Sequence, residues 1–277
     1  MKPRVSETLR FGAARLAEAG IDAGDARHLL AFALGVSRDR LVLMGGDAMP
    51  SEAAARFDEA LTRRIAHEPV SKIVGTRAFW GREFRVTPDV LDPRPETETL
   101  IAEALAGPAP TRFLDLGTGS GCIALTLLAE WPQARGVACD LSAAALNVAA
   151  ENARSLGVEG QVDLRRSDWF GAVDGVFDLI VSNPPYITAQ EMTELSPEVL
   201  GHDPHMALTP GGDGLEPYRV IARDGAAYLA PEGRVLVEIG WKQGPDVAAL
   251  FAQNGWREIR VLPDLDGRDR VVAAIRG

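Results

Sequence analysis

Phe113-Leu114-Asp115-Leu116-Gly117-Thr118-Gly119-Ser120-Gly121 is the stretch on which the reading of this chain turns. A short apolar run meets three glycines at alternate positions, and the apolar segment from Cys122 to Glu130 follows at once. This pattern predicts a buried strand, a tight turn and a helix. The glycines remove side chains where backbone must approach a ligand, and the N–H groups of the helix's first turn lie just beyond. A glycine turn alone also serves a chain that merely has to reverse. Two neighbours narrow it. The spacing is G-x-G-x-G with Cys122 next, so the dinucleotide pattern G-x-G-x-x-G is not met. Asp115 lies ahead of the glycines, where a carboxylate can reach the ammonium of a bound amino acid and would repel a pyrophosphate. The motif points to S-adenosylmethionine rather than NAD.

Outward from the motif, further cues fall at the expected places. Asp140 closes the next apolar run, nineteen residues after Gly121, the usual separation for a carboxylate that accepts both ribose hydroxyls. Asp140 as a helix N-cap is the plainer alternative, but Ser142 caps equally well. Asp168-Trp169-Phe170 follows the third run, at the edge where an adenine would lie. Asp168 is placed to accept from an adenine amino group and Trp169 to pack on its ring; a core tryptophan beside a capping aspartate is the competing reading.

Strands are predicted at 112–116, 136–140, 162–165, 177–182 and 233–239, and helices at 96–106, 122–130, 143–156, 215–229 and 245–254. Strands at 258–262 and 270–275 close the chain around the turn residues Asp264–Gly267. Alternating elements of this kind imply an α/β, doubly wound parallel sheet with helices on both faces, ending in an antiparallel hairpin. Residues 187–214 read as one long irregular stretch, a candidate mobile lid.

The chemistry is expected at Ser182-Asn183-Pro184-Pro185-Tyr186, directly after the fourth strand of the sheet, where open α/β sheets bind substrates. An amide or ring-amine NH2 is a poor nucleophile, because its lone pair is delocalised. The Asn183 side-chain oxygen and the Pro184 carbonyl can each accept one N–H bond, aligning that nitrogen and drawing it out of plane. Pro184 and Pro185 offer no competing N–H and stiffen the turn, while Tyr186 presents an aromatic face to a planar group. Other candidates are weaker. His202 and His205 lack a third ligand for zinc, so no metal is expected, and Cys122 has no basic neighbour to make it a nucleophile. Glu238 ends a strand at the same sheet edge, where a structural or orienting role reads better than a catalytic one.

Residues 1–75 carry only helical patterns. Ser6 is expected to cap a helix bearing Leu9, Phe11 and Leu16; Asp25 to cap 26–34 before Gly35; and Ser51 to open a helix that buries Phe57, Leu61 and Ile65. Such a bundle suits packing or docking more than catalysis. Residues 76–95 read as a short hairpin, around Phe79-Trp80-Gly81 and Phe84-Arg85-Val86, ended by the rigid link Pro93-Arg94-Pro95, and residues 96–277 as the catalytic domain.

The net charge is −10, unevenly spread: residues 1–75 hold 11 basic against 10 acidic residues, and the rest 18 against 29. An acidic catalytic part, in a chain whose adjacent basic pairs are Arg63-Arg64 and Arg165-Arg166, disfavours a nucleic-acid substrate. The absence of a long apolar run, the polar Met1-Lys2-Pro3-Arg4 start and two cysteines without a CxxC spacing lead to the expectation of a cytoplasmic protein with no membrane contact.

Taken together, these segments resemble the bacterial peptide-chain release factor glutamine N5-methyltransferases. The resemblance rests on Phe79-Trp80-Gly81, Val90-Leu91-Asp92-Pro93-Arg94-Pro95-Glu96-Thr97-Glu98, the glycine motif, Ser167-Asp168-Trp169-Phe170 and Asn183-Pro184-Pro185-Tyr186. It continues through Ala207-Leu208, Gly211-Gly212-Asp213-Gly214-Leu215 and Val237-Glu238-Ile239-Gly240. The Pro-Arg-Pro-Glu-Thr-Glu segment is far more specific than Asn-Pro-Pro-Tyr, which adenine and guanine amino-methyltransferases also carry. Asp92 departs from the apolar residue expected in the linker and touches no inferred contact. The resemblance implies a class I methyltransferase-like sheet preceded by a small helical domain. It implies that Gly117, Thr118, Gly119, Ser120, Gly121, Asp140, Trp169 and Asn183 line S-adenosylmethionine and that Asn183–Tyr186 hold the acceptor. That acceptor would be the glutamine of the Gly-Gly-Gln loop in class 1 release factors, gripped in part by the N-terminal bundle. A related enzyme acting on a large-subunit ribosomal protein, and a nucleic-acid amino-methyltransferase, are the alternatives.

Overall fold

The apolar runs expected as strands are strands. In the computed structural model, which describes residues 2–277, they are β1 (Thr76–Phe79), β2 (Arg82–Arg85), β3 (Arg112–Leu116), β4 (Arg135–Asp140), β5 (Val162–Arg166), β6 (Phe177–Ser182), β7 (Leu229–Glu238), β8 (Arg257–Pro263) and β9 (Asp269–Ile275). β1 and β2 pair alone; the other seven form one sheet in the order β5-β4-β3-β6-β7-β9-β8. β3 to β7 are parallel, and β9 returns antiparallel between β7 and β8. From β3 the chain winds outward through β4 and β5, then crosses back to β6 and β7. The winding therefore reverses between β3 and β6, and the carboxyl ends of those two strands define the crevice where such sheets bind ligands.

The pleat sorts the core into two layers. Phe113, Ala138, Leu179, Val181 and Leu236 point to one face, against the helices at Glu98–Ala106, Cys122–Glu130 and Ala143–Leu156. Leu114, Leu116, Val137, Cys139, Ile180, Val235 and Val237 point to the other, against Glu216–Asp224 and Gly244–Gln253. Contacts divide the chain into two compact units, Met1–Thr76 with Ser196–His202, and Arg77–Leu195 with Asp203–Gly277. Among the described residues no helix is long and apolar enough to cross a membrane.

Several local expectations need correction. Ser6 does not cap the first helix, which runs Val5–Glu18; the Glu7 carboxylate accepts from the Arg4 amide at 2.8 Å, and the chain before it is held by an Arg4–Ala48 bridge. Phe11 is 63% exposed and lies off the buried face, which Leu16 occupies. Asp25 begins its helix rather than capping it, and its carboxylate pairs with Arg64 at 2.8 Å. The helix expected over 215–229 runs Glu216–Asp224, a 3-10 turn follows at Gly225–Tyr228, and Leu229 already belongs to β7. There the buried Trp256 indole donates to the Ala222 carbonyl at 2.8 Å, removing an acceptor from the last helical turn, and its ring packs over Gly225. Residues 187–214 are not irregular. They hold a 3-10 turn at Glu191–Glu194 and helices at Pro197–His202 and His205–Leu208. Ile187 N to Leu208 O (3.0 Å) and Ala189 N to Gly212 O (3.1 Å) join the two ends of this segment.

Candidate active site

At the switch point Leu116 of β3 and Ser182 of β6 are register partners, and the Ser182 hydroxyl donates to the Leu116 carbonyl at 2.7 Å, fully buried. This bond fixes where the two chains leave the sheet, one into Gly117 and the other into Asn183. Beyond them opens a cavity of about 400 Å³, within the range of roughly 300–1,000 Å³ usual for small-molecule sites.

Gly117, Thr118, Gly119 and Ser120 form one wall. Gly117 and Gly119 have φ of 72° and 56°, and a Cβ on either would meet nothing within 4 Å, so their bare backbone faces open space. Asp140 lines the same wall. One of its carboxylate oxygens accepts from Gly119 N at 2.9 Å and the other from Ser142 N at 2.8 Å. Asp140 therefore braces the glycine turn, while Ser142 caps the following helix through Ala145 N. Each carboxylate oxygen keeps a second acceptor site for a ligand hydroxyl. Burial raises the Asp140 pKa against these backbone bonds.

Asp168 and Trp169 also line the cavity. Trp169 has φ of 47°, a left-handed conformation that costs a non-glycine residue on the order of 1–3 kcal/mol. Ser167 supports it, donating to the Trp169 carbonyl at 2.8 Å and accepting from Ala172 N at 2.9 Å. Asn183 and Pro185 complete the lining beside Thr97.

Four expected site residues do not line the cavity. Asp115 points with Phe113 into the helix-covered face; it is 0% exposed and accepts from the Thr118 hydroxyl at 2.7 Å. Burial pushes its carboxyl up to about 7, opposed by the Thr118 bond and reinforced by the charge of Asp140. Gly121 serves packing, since a Cβ there would approach Leu125 Cδ1 to 2.8 Å and Ala149 Cβ to 3.3 Å. Pro184 is buried. Tyr186 packs against the second core layer, and its carbonyl accepts from Gln243 Nε2 at 3.1 Å. Cys122 does lie on the wall, where burial pushes its thiol up to about 12.

Other residues enter the site unannounced. Asp92, read as an idle departure, is 6% exposed and lines the cavity with Arg94, which donates to Asp203 at 2.8 Å. Asn152 is 1% exposed and ties three chain segments: its Oδ1 accepts from Arg85 N at 2.7 Å, and its Nδ2 donates to Arg85 O at 3.1 Å and Ser120 O at 2.8 Å. Glu238 is 2% exposed, and burial pushes its carboxyl up to about 7, opposed by the Thr97 and Asn183 side chains and the charge of Arg270. Among the described residues no cluster of three or more His, Cys, Asp or Glu side chains is placed to hold a metal.

This geometry has relatives. The Methyltransferase small domain family matches residues 95–215, and the PrmC N-terminal domain family matches residues 7–75. A release factor glutamine methyltransferase of Cereibacter sphaeroides is 60% identical over 98% of this chain and 98% of its own length. One from Rhodospirillum rubrum is 44% identical over 96% of this chain and 83% of its own. Among solved structures, a methyltransferase from Pyrococcus furiosus superposes with a TM-score of 0.56 at 16% identity, covering 79% of this chain and 99% of that one, a likeness of fold.

Proposed function

The chain belongs to the release factor glutamine methyltransferase family, and from that premise we propose that it methylates the side-chain amide nitrogen (N5) of the glutamine in the Gly-Gly-Gln motif of class 1 peptide-chain release factors. S-adenosylmethionine is the donor and the setting is the cytoplasm. One observation carries the reading: the bare glycine turn after β3 and Asn183 after β6 open onto a single cavity at the switch point.

The residues present fit the donor. The open space over Gly117 and Gly119 admits a ligand against backbone, Asp140 offers acceptors to ribose hydroxyls, and Asp168 and Trp169 suit an amino-substituted flat base. S-adenosylmethionine supplies a methyl already activated on a sulfonium. What remains for the protein is the acceptor nitrogen. Asn183 Oδ1, on the cavity wall, takes one N–H of the glutamine amide, which turns its lone pair towards the methyl and weakens its conjugation.

The test is incubation of the chain with isotopically labelled S-adenosylmethionine and, separately, a release factor, a large-subunit ribosomal protein and RNA, followed by mass spectrometry of each. Label on the Gly-Gly-Gln glutamine is the expected result. Label confined to the ribosomal protein or to RNA overturns the substrate assignment.

A further inference from the structure

Asn183 has a donor end and an acceptor end on a torsion with two roughly equivalent settings, so neighbours must decide which end meets the ligand. Its Nδ2 donates to Thr97 Oγ1 at 3.2 Å. Thr97, 1% exposed, ends the 3-10 turn Pro95–Thr97 in the Pro-Arg-Pro-Glu-Thr-Glu segment, 86 residues before Asn183. Behind both lies Glu238 at the end of β7, 2% exposed, its carboxyl close enough for the Thr97 and Asn183 side chains to favour its charged form. A second bond anchors the backbone there, from the Tyr218 hydroxyl to the Glu238 carbonyl at 2.9 Å.

A hydroxyl has one proton and can point it either way. The Thr97 oxygen accepts from Asn183 Nδ2 at 3.2 Å, so its proton is turned away from Asn183, and a negative charge at Glu238 draws that proton to its side. The polarity of the chain is set at Glu238 and read out at Asn183. The Asn183 Oδ1 makes no hydrogen bond to protein among the described residues, and it sits on a residue that lines the cavity. With the amide reversed, an NH2 would face the NH2 of the acceptor and no bond could form.

We propose that Glu238 and Thr97 are positioning residues, which lock the Asn183 amide so that its oxygen, and not its nitrogen, is presented to the nitrogen being methylated. The inference rests on the proposed function. It also gives Thr97 of the Pro-Arg-Pro-Glu-Thr-Glu segment a task beyond lining the cavity.

The variants are Thr97→Val, which removes the hydroxyl at constant shape, Thr97→Ser, which restores it, and Glu238→Met, which frees the Thr97 proton to point at Asn183. Thr97→Val and Glu238→Met should each lower kcat by about tenfold or more, with KM for release factor and the donor's Kd within about threefold of the parent. Thr97→Ser should recover most of the rate. In an Asn183→Ala background the same changes should add less than about twofold, because the side chain they orient is gone. The second readout needs no turnover. The Asn183 side-chain amide signal in a nitrogen-15 NMR spectrum, assigned by its loss in Asn183→Ala, should move in Thr97→Val and Glu238→Met and return in Thr97→Ser. An unmoved signal with a parental rate overturns the proposal, as does a rate loss that persists undiminished in the Asn183→Ala background. If the parent methylates no glutamine, the proposed function fails, and the NMR signal alone decides the positioning.

Discussion

One carboxylate does two jobs at Asp140: it holds the glycine turn through Gly119 N and leaves acceptor sites facing the cavity. Asp140→Ala should therefore weaken S-adenosylmethionine binding at least tenfold, since hydrogen bonds to a charged acceptor are worth about 1.5–3 kcal/mol each. Calorimetric titration measures this, and unchanged affinity would remove Asp140 from the site. Asp115, buried beneath the same turn, carries a different signature. Burial keeps its carboxyl protonated up to about 7, whereas in an unfolded chain it ionises at about 4. Between those two values the folded state binds the extra proton, so this group's contribution to stability falls as pH rises through that window. Asp115→Asn should accordingly gain stability relative to the parent on going from pH 4 to pH 8, by on the order of 1–3 kcal/mol. Urea unfolding at the two pH values checks it, and a difference independent of pH would show that Asp115 does not titrate there.

Elements far apart in the chain meet through single polar side chains. Asn152, from the helix Ala143–Leu156, bonds both the end of β2 and the glycine turn. Asn152→Ala strands the buried Ser120 carbonyl and two part-buried groups of Arg85 and should cost about 1–3 kcal/mol, with S-adenosylmethionine affinity falling because Ser120 loses its tether. Denaturant unfolding alongside calorimetric titration tests both, and parental stability would show that the tie is not needed. The strand–turn–helix reading survived contact with the structure because periodicity and glycine spacing encode it directly. Side-chain direction was also encoded, though less openly. The pleat that sends Leu114 and Leu116 to one face sends Asp115 to the other, into a helix layer. Gly121 followed a ligand motif but answers to Leu125 and Ala149. A lone asparagine between Ala149 and Ala153 on a buried helix face was a usable signal for Asn152. The contact of Thr97 with Asn183 spans 86 residues, and only the tertiary fold creates it.

For the molecule as a whole, the question is what a helical bundle adds to a site it does not build. Every residue lining the cavity lies in the unit formed by Arg77–Leu195 and Asp203–Gly277. The other unit gathers the bundle with Ser196–His202, and there Arg64, 7% exposed, bonds Asp25 at 2.8 Å and Glu198 at 2.7 Å. Charge separates in the same way: residues 1–75 are close to neutral, while the remainder carries 18 basic and 29 acidic residues and gives phosphate no general attraction. Under the proposed function, the bundle supplies area and orientation for a large protein partner, which acts on acceptor KM or alignment and not on donor affinity. Removing residues 1–76 should leave a domain with native circular dichroism that binds S-adenosylmethionine within about threefold of the full chain. Its kcat/KM on release factor should fall at least about tenfold, a loss of roughly 1.4 kcal/mol of transition-state stabilisation. The assay compares the full and truncated chains on release factor, a large-subunit ribosomal protein and RNA, with S-adenosylmethionine saturating throughout. Equal kcat/KM of the two forms on release factor would overturn the docking role. Lost donor binding would instead show that the bundle supports the fold of the site, and methylation of RNA alone would overturn the choice of a protein acceptor.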